Sequence, residues 1–154
     1  TRASMMMVTE RVPAFVAPVV SAQGRALTFK QTVAGTVLVG GGQQGRADLA
    51  HEQSHVDFDG IAVSARAVCA LFPSMRPVRV VRAWTGIEAE TPDRLPVIDH
   101  SPSAPGVVHV FGFPGHGFQL GPVCGVAVAD LVTEGTSRLP IAAFRATRFG
   151  GPDV

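Results

Sequence analysis

The chain has 154 residues, 46% hydrophobic and only 16% charged, a balance that suits a folded, well-buried protein and excludes disorder. A formal net charge of +1 with no clustered basic face removes nucleic acid from the expected partners. No apolar run reaches the roughly 20 residues of a membrane helix and no charged-then-apolar pattern is seen at the start, so no membrane span is expected; the expected compartment is the cytoplasm, whose reducing conditions suit two unpaired cysteines.

In chain order, SMMMVTE (4–10) is an apolar run with a polar end and reads as a strand. RALTFKQ (25–31) alternates and GTVLVG (35–40) is β-branched. With TVAG between them, the two predict an antiparallel hairpin. VLVGGGQQG (37–45) invites a dinucleotide reading, because glycines follow a strand. The G-x-G-x-x-G fingerprint, however, opens a helix and is answered by an acid about 20 residues on. Here the glycines are contiguous and QQGRADLAHEQS shows no helical apolar face, which favours a strand-end turn or bulge.

DFDGIAVSARAVCALFP (57–73) carries helix signals. Asp57 or Asp59 can cap it, Ile61, Ala65, Val68 and Phe72 share a face, and Pro73 ends it. PVRVVRAWTGIEAE (77–90) and GVVHVFG (106–112) read as strands, joined through the turn-rich TPDRLP and DHSPSAPG. GPVCGVAVADLVTEG (121–135) predicts a second helix, with Pro122 in its first turn and Gly135 at its end. The tail from Thr136 holds Pro140 and shows no periodicity. Cys69 and Cys124 lie in apolar, helix-like surroundings, where free thiols are expected. The order of elements predicts an α+β fold with a mainly antiparallel sheet, not a regular βαβ array.

FGFPGHGFQLGPVCG (111–125) is the stretch with most chemistry in it. Glycines at 112, 115 and 117 permit positive φ and let backbone N–H groups approach a ligand. The helix that follows aims unpaired N–H groups and its positive dipole end at the same space, which suits an anion or an electron-rich ring. A plain tight turn before a core helix explains the spacing equally well. Gly121, Gly125 and Ala129 give that helix a smooth face. His116 could act as a general base, but a histidine between glycines more often bonds to backbone. His51, His55, His100 and His109 have no ligand spacing with each other or with cysteine, so no metal site is expected. No G-x-S-x-G nucleophile motif occurs. Tyrosine is absent, which removes one common polar handle for small substrates.

RAWTGIEAETPDRLPVID (82–99) and GVVHVFGFPGHGFQLGP (106–122), with the helix after them, resemble the C-terminal part of the FAD-dependent D-amino-acid oxidase, glycine oxidase and sarcosine oxidase superfamily. Trp84, Gly86, Thr91, Pro92, Asp93, Pro96 and Ile98 fit its Trp-x-Gly, Thr-Pro-Asp and Pro-x-Ile pattern. Gly112, Gly115, His116, Gly117 and Phe118 fit Gly-x-x-Gly-His-Gly-Phe. MMVTE and the segment running into GGG also fit, so the resemblance covers residues 5–149 and leans toward β-subunits of heteromeric opine or hydroxyproline dehydrogenases and of hydrogen cyanide synthase.

The resemblance implies residues 1–90 as a substrate-domain portion and 91–154 as the strand, loop and helix completing an FAD-binding domain. It implies that Phe113, Pro114, Gly115, His116, Gly117, Phe118 and Gln119 line the pyrimidine side of the flavin, with Gly115 and Glu88 near the substrate. Glu88 stands where glycine oxidase-like members carry a carboxylate-clamping arginine, which favours an amine or guanidinium over a simple α-amino acid. Gln119 stands where sarcosine oxidase-like members carry a lysine that assists oxygen reduction, which favours a dehydrogenase. The cysteine that attaches flavin in monomeric sarcosine oxidases falls at Gly86, so FAD is expected to be non-covalent. The family's dinucleotide-binding unit has no counterpart here. An incomplete FAD site, a partner subunit or missing half, a small amine or amino-acid substrate, no activity from this chain alone and an oligomeric assembly are therefore expected. The competing expectation is a non-catalytic protein-interaction module of α+β fold.

Overall fold

The computed structural model describes residues 1–150 and divides into two compact units, one over Arg2–Ile87 and one beginning at Glu88. Residues 151–154, the end of the second expected portion, lie outside the described residues.

The first unit runs β1 (Arg2–Arg11), β2 (Val20–Ser21), β3 (Thr28–Gln31), β4 (Thr36–Gly40), a small hairpin of β5 (Arg46–Asp48) and β6 (Gln53–His55), helix α1 (Phe58–Leu71) and all but the last residue of β7 (Val80–Glu88). One sheet holds β2, β3, β4, β1 and β7 side by side in that order. The expected hairpin is β3 with β4, antiparallel with Lys30 opposite Leu38. Strict alternation builds the core. Ala3, Met5, Met7 and Thr9 of β1 are buried, as are Phe29 of β3 and Val37 and Val39 of β4. Val68 of α1 is buried in this cluster, with Ile61, Ala65 and Phe72 packed against it, the face foreseen from the sequence. Asp57 is the cap; its carboxylate accepts from the N–H groups of Asp59 and Gly60. Phe29 stacks on Phe72 at 4.7 Å, and Phe15 meets both edge-on, at 5.9 and 5.5 Å, pinning the 12–19 loop to the core edge.

The glycine run is a turn that the chain itself fills. Gly41 has φ +106°, and a Cβ there would run into the backbone of Leu27 and Thr28. Glycine is needed for that close approach, and the space is taken by protein rather than left for a phosphate. Two pairings lie outside the sequence expectation. β2 is only two residues long, and β5–β6 pairs Arg46 with His55 and Asp48 with Gln53 inside a polar stretch. Strands this short, without an apolar face, leave no periodic mark; a ladder of hydrogen bonds and Ser54 Oγ donating to the Thr85 carbonyl (3.1 Å) hold the hairpin instead.

The second unit comprises β8 (Val97–His100), β9 (Val108–Phe111), α2 (Gly117–Glu134) and 3₁₀ turns at Ala142–Phe144 and Ala146–Phe149. β8 pairs antiparallel with β9, Val97 opposite Phe111 and Ile98 opposite Val110. It is not among the strands expected, since its four residues sit between two turn-rich stretches. Ile98, Ala127 and Leu131 form the buried centre, with Val108, Phe113, Val128, Leu139, Ile141 and Phe144 around them. The tail therefore packs through apolar residues that follow no repeat. α2 begins four residues ahead of the expected start, so Pro122 is its sixth residue and not in the first turn. Proline has no N–H to give the Phe118 carbonyl; both residues are exposed, so solvent can serve that oxygen. Gly135 ends the helix as expected, at φ +74°, its N–H bonding the Leu131 carbonyl at 3.1 Å. The architecture is α+β with antiparallel pairing dominant.

Candidate functional site

The loop between β9 and α2 has an inner and an outer half. Gly112 and Pro114 are buried, and Phe113 packs its ring into the cluster around Ile98 and Leu131. Gly115, His116, Phe118 and Gln119 are exposed, Phe118 completely, while Gly117 and Leu120 are partly covered. An anchored base thus presents a solvent-facing tip.

The tip is rich in donors. Gly112 has φ +77° and Gly115 φ +72°, as their glycines permit, whereas Gly117 is helical and has no positive φ. A Cβ on Gly115 would meet nothing within 4 Å, so the backbone there is open to approach. A Cβ on Gly117 would press the Phe113 side chain at 3.3 Å, so that glycine serves internal packing. His116 is the N-cap of α2, and its carbonyl accepts from Leu120 N–H at 3.0 Å. No side chain caps the helix. Among the described residues, the N–H groups of Gly117, Phe118 and Gln119 therefore face outward without a protein acceptor. The His116 ring is 2.7 Å through Nδ1 from the Pro114 carbonyl, so Nδ1 carries the proton and its bond goes to backbone.

The turn Thr91–Leu95 braces the loop's first residue. Thr91 is 6% exposed, its Oγ1 donates to the Leu95 carbonyl at 2.7 Å, and its Cγ2 stands 2.8 Å from where a Gly112 Cβ would be. Asp93 accepts from Leu95 N–H at 3.1 Å and from Arg148 Nε and Nη2 at 2.6 and 3.1 Å. Chiefly through those Arg148 bonds, the Asp93 carboxyl is held well below the usual carboxylate range. Sequence reasoning missed the role of Arg148: an ion pair spanning 55 residues leaves no local signal.

Glu88, the other expected site residue, closes β7 and is half-buried. Alternation puts it on the same face as Trp84 and Arg82, opposite Ala83, which packs into the α1 side of the core. The Arg82 guanidinium lies 5.7 Å from the Trp84 ring centre. Cys69 and Cys124 are free, half-buried thiols, and burial raises the Cys124 pKa. Among the described residues no cluster of three or more His, Cys, Asp or Glu is placed for a metal, and no helix is long and apolar enough to cross a membrane.

The sequence pattern of the DAO family, described as FAD dependent oxidoreductase, matches residues 1–131. The chain belongs to this family. The beta chain of sarcosine oxidase from Rhodobacter capsulatus is 30% identical over 75% of the present chain and 26% of its own length. An opine oxidase subunit of Agrobacterium tumefaciens is 29% identical over 79% of the chain and 31% of its own length. This DAO-family chain thus spans about a quarter to a third of the length of these curated relatives. In fold it is similar to L-proline dehydrogenase from P. horikoshii, with a TM-score of 0.87 at 23% identity over 99% of the chain and 40% of that structure.

Proposed function

We propose that this DAO-family chain is the C-terminal part, or a subunit, of an FAD-dependent dehydrogenase that oxidises the C–N bond of an amino acid or secondary amine. In this reading residues 1–90 belong to the substrate domain and residues 91–154 complete the FAD-binding domain. The carrying observation is the loop tip, with three outward N–H groups at the start of α2 beside an open Gly115. The tip fits the pyrimidine edge of a flavin, where donors are needed and side chains are not. When bound, non-covalent FAD would supply the hydride acceptor for the carbon beside the substrate amine.

The chain's own residues would then act as follows. The N–H groups of Gly117, Phe118 and Gln119, with the positive end of α2, are fixed donors aimed where negative charge develops. Phe113 and Pro114, held in the core, keep those donors in place. The proton of His116 Nδ1 is committed to the Pro114 carbonyl, so the histidine shapes the turn. A substrate bound with its amine neutral needs no base from the chain. Gln119 offers no cation near the tip, which supports a dehydrogenase passing its electrons to an acceptor other than oxygen. Glu88 supports a substrate with a cationic group on that side. The relatives named as parts of larger oxidases support a partner chain or further half that supplies the dinucleotide-binding unit, in an oligomer working in the cytoplasm; this chain alone would be inactive.

Purification of the full-length or co-expressed protein tests the reading. Flavin absorbance is expected, with faster turnover of an amine on a dye acceptor than on oxygen. A colourless complete protein would overturn it in favour of a non-catalytic interaction module. Glu88→Arg should shift the ratio of rates toward glycine and away from an opine-like substrate, and an unchanged ratio would reject the role given to Glu88.

A further inference from the structure

Arg148 lies in the last 3₁₀ turn, beyond the residues matched by the family pattern. Its guanidinium is spread over several acceptors. Nε and Nη2 donate to the two oxygens of Asp93, Nη2 also donates to the Leu95 carbonyl at 2.7 Å, and Nη1 donates to the carbonyl of Arg145, three residues back, at 3.0 Å. The Arg148 side chain is only 16% exposed, while its partner Asp93 lies at the surface, so the hold rests on the fork's geometry and not on exclusion of solvent. The segment carrying it is tied down as well: Ala146 N–H donates to Asp99 Oδ2 at 3.0 Å, and the Phe149 ring lies 4.2 Å from the guanidinium carbon.

What the fork grips is a turn under tension. Arg94 has φ +62°, a conformation that a non-glycine residue rarely adopts and that surrounding structure must hold. The Leu95 carbonyl receives both Arg148 and the Thr91 hydroxyl, so the arginine and the threonine are locked through one oxygen. Thr91 in turn abuts Gly112, the first residue of the loop, and β8, which leaves the turn, pairs its Val97 with Phe111 just before Gly112. The buried centre of Ile98, Ala127 and Leu131 does not include Arg148. Its loss would release the turn and the loop's starting point while leaving that core intact.

We propose that Arg148 is a positioning residue for the loop tip: by clamping the Thr91–Leu95 turn it fixes, through Thr91, where the backbone donors of Gly117, Phe118 and Gln119 stand. The proposal rests on the flavin role given to that loop. It assigns to the fork geometry, and not to charge alone, the accuracy of the donor placement.

The test is the two-electron reduction potential of the flavin in the full-length flavoprotein, followed by absorbance, because donors at the pyrimidine edge favour the reduced, negatively charged ring. Arg148→Gln should retain flavin but lower the potential by about 30–60 mV, the equivalent of a 10- to 100-fold loss in stabilising the reduced ring. Arg148→Lys, which keeps the charge and loses the fork, should fall between. Should Arg148→Gln fail to fold, Arg148→Lys and Asp93→Asn carry the same readout. A potential unchanged in the folded variants, with stability alone reduced, would overturn the proposal. So would full rescue by lysine. A flavin-containing wild type with unchanged variants sinks this proposal alone, whereas a wild type without flavin sinks the functional reading and this one with it.

Discussion

Gly112 offers a sharp perturbation because two separable costs meet there. Alanine at φ +77° carries the left-handed backbone penalty, about 1–2 kcal/mol. Its methyl would also sit 2.8 Å from Thr91 Cγ2, an overpacking contact worth about 1–3 kcal/mol. Thr91 cannot simply turn away, since its hydroxyl is bonded to the Leu95 carbonyl at 2.7 Å and it is buried. We predict that Gly112→Ala destabilises the protein by about 2–5 kcal/mol, the sum of the two. Thr91→Ser keeps the hydroxyl and deletes the offending methyl; alone it should cost about 1 kcal/mol of lost apolar burial. Combined with Gly112→Ala it should recover the overpacking part and leave the backbone part, a coupling of about 1–3 kcal/mol in a double-mutant cycle. Equilibrium denaturation of the four full-length proteins, followed by circular dichroism, measures it. Additivity within about 0.5 kcal/mol would refute the reasoning, because it would mean that Thr91 is not what forbids a side chain at Gly112.

Other perturbations follow from single contacts. Gln31 is buried, accepts from Phe15 N–H at 2.9 Å and donates to the Val12 and Pro13 carbonyls at 3.2 and 3.0 Å. Gln31→Leu should therefore cost about 1–3 kcal/mol by leaving partly buried backbone groups unpaired, and a loss below about 0.5 kcal/mol in urea unfolding, no more than an ordinary surface substitution, would reject that account. Gly115→Val should lower flavin occupancy of the complete protein. Gly115→Asn tolerates the φ of +72° better yet adds bulk to the same open space, so full occupancy with asparagine would show strain, not ligand approach, to be the cause. The Asp93 carboxyl titrates lower in the folded protein than its unfolded value of about 3.9, so the stabilisation it gains from Arg148 is complete above that pH and is lost as pH falls. The unfolding free energies of wild type and Arg148→Gln should therefore converge on acidification below about pH 4, and curves that stay parallel would contradict the pairing.

What the sequence disclosed and what it withheld divide along physical lines. The long strand was legible as an apolar run with a polar end, the first helix because Ile61, Ala65, Val68 and Phe72 fall on one face, and the second through Gly135 at its end. The αL glycines at 112, 115 and 135 were legible because few other residues accept that backbone. β5 and β6 were not, since three residues in a polar stretch show no apolar face, and β8 was not, since it sits between two turn-rich stretches. The tail was not, because Leu139, Ile141 and Phe144 pack by position in space alone. The start of α2 was misplaced for a specific reason. Pro122 reads locally as a first-turn residue, yet Gly117 and the His116 carbonyl had already started the hydrogen-bond ladder. That shift bears on the site, because it moves the outward N–H groups from the residues around Gly121 to Gly117, Phe118 and Gln119. The donors thus begin at the last glycine of the glycine-histidine-glycine tip, two residues past the open backbone of Gly115. Loop and helix together make one candidate site rather than two weak ones, and the loop is braced by contacts, Thr91 on Gly112 and Arg148 on Asp93, that join residues 21 and 55 positions apart.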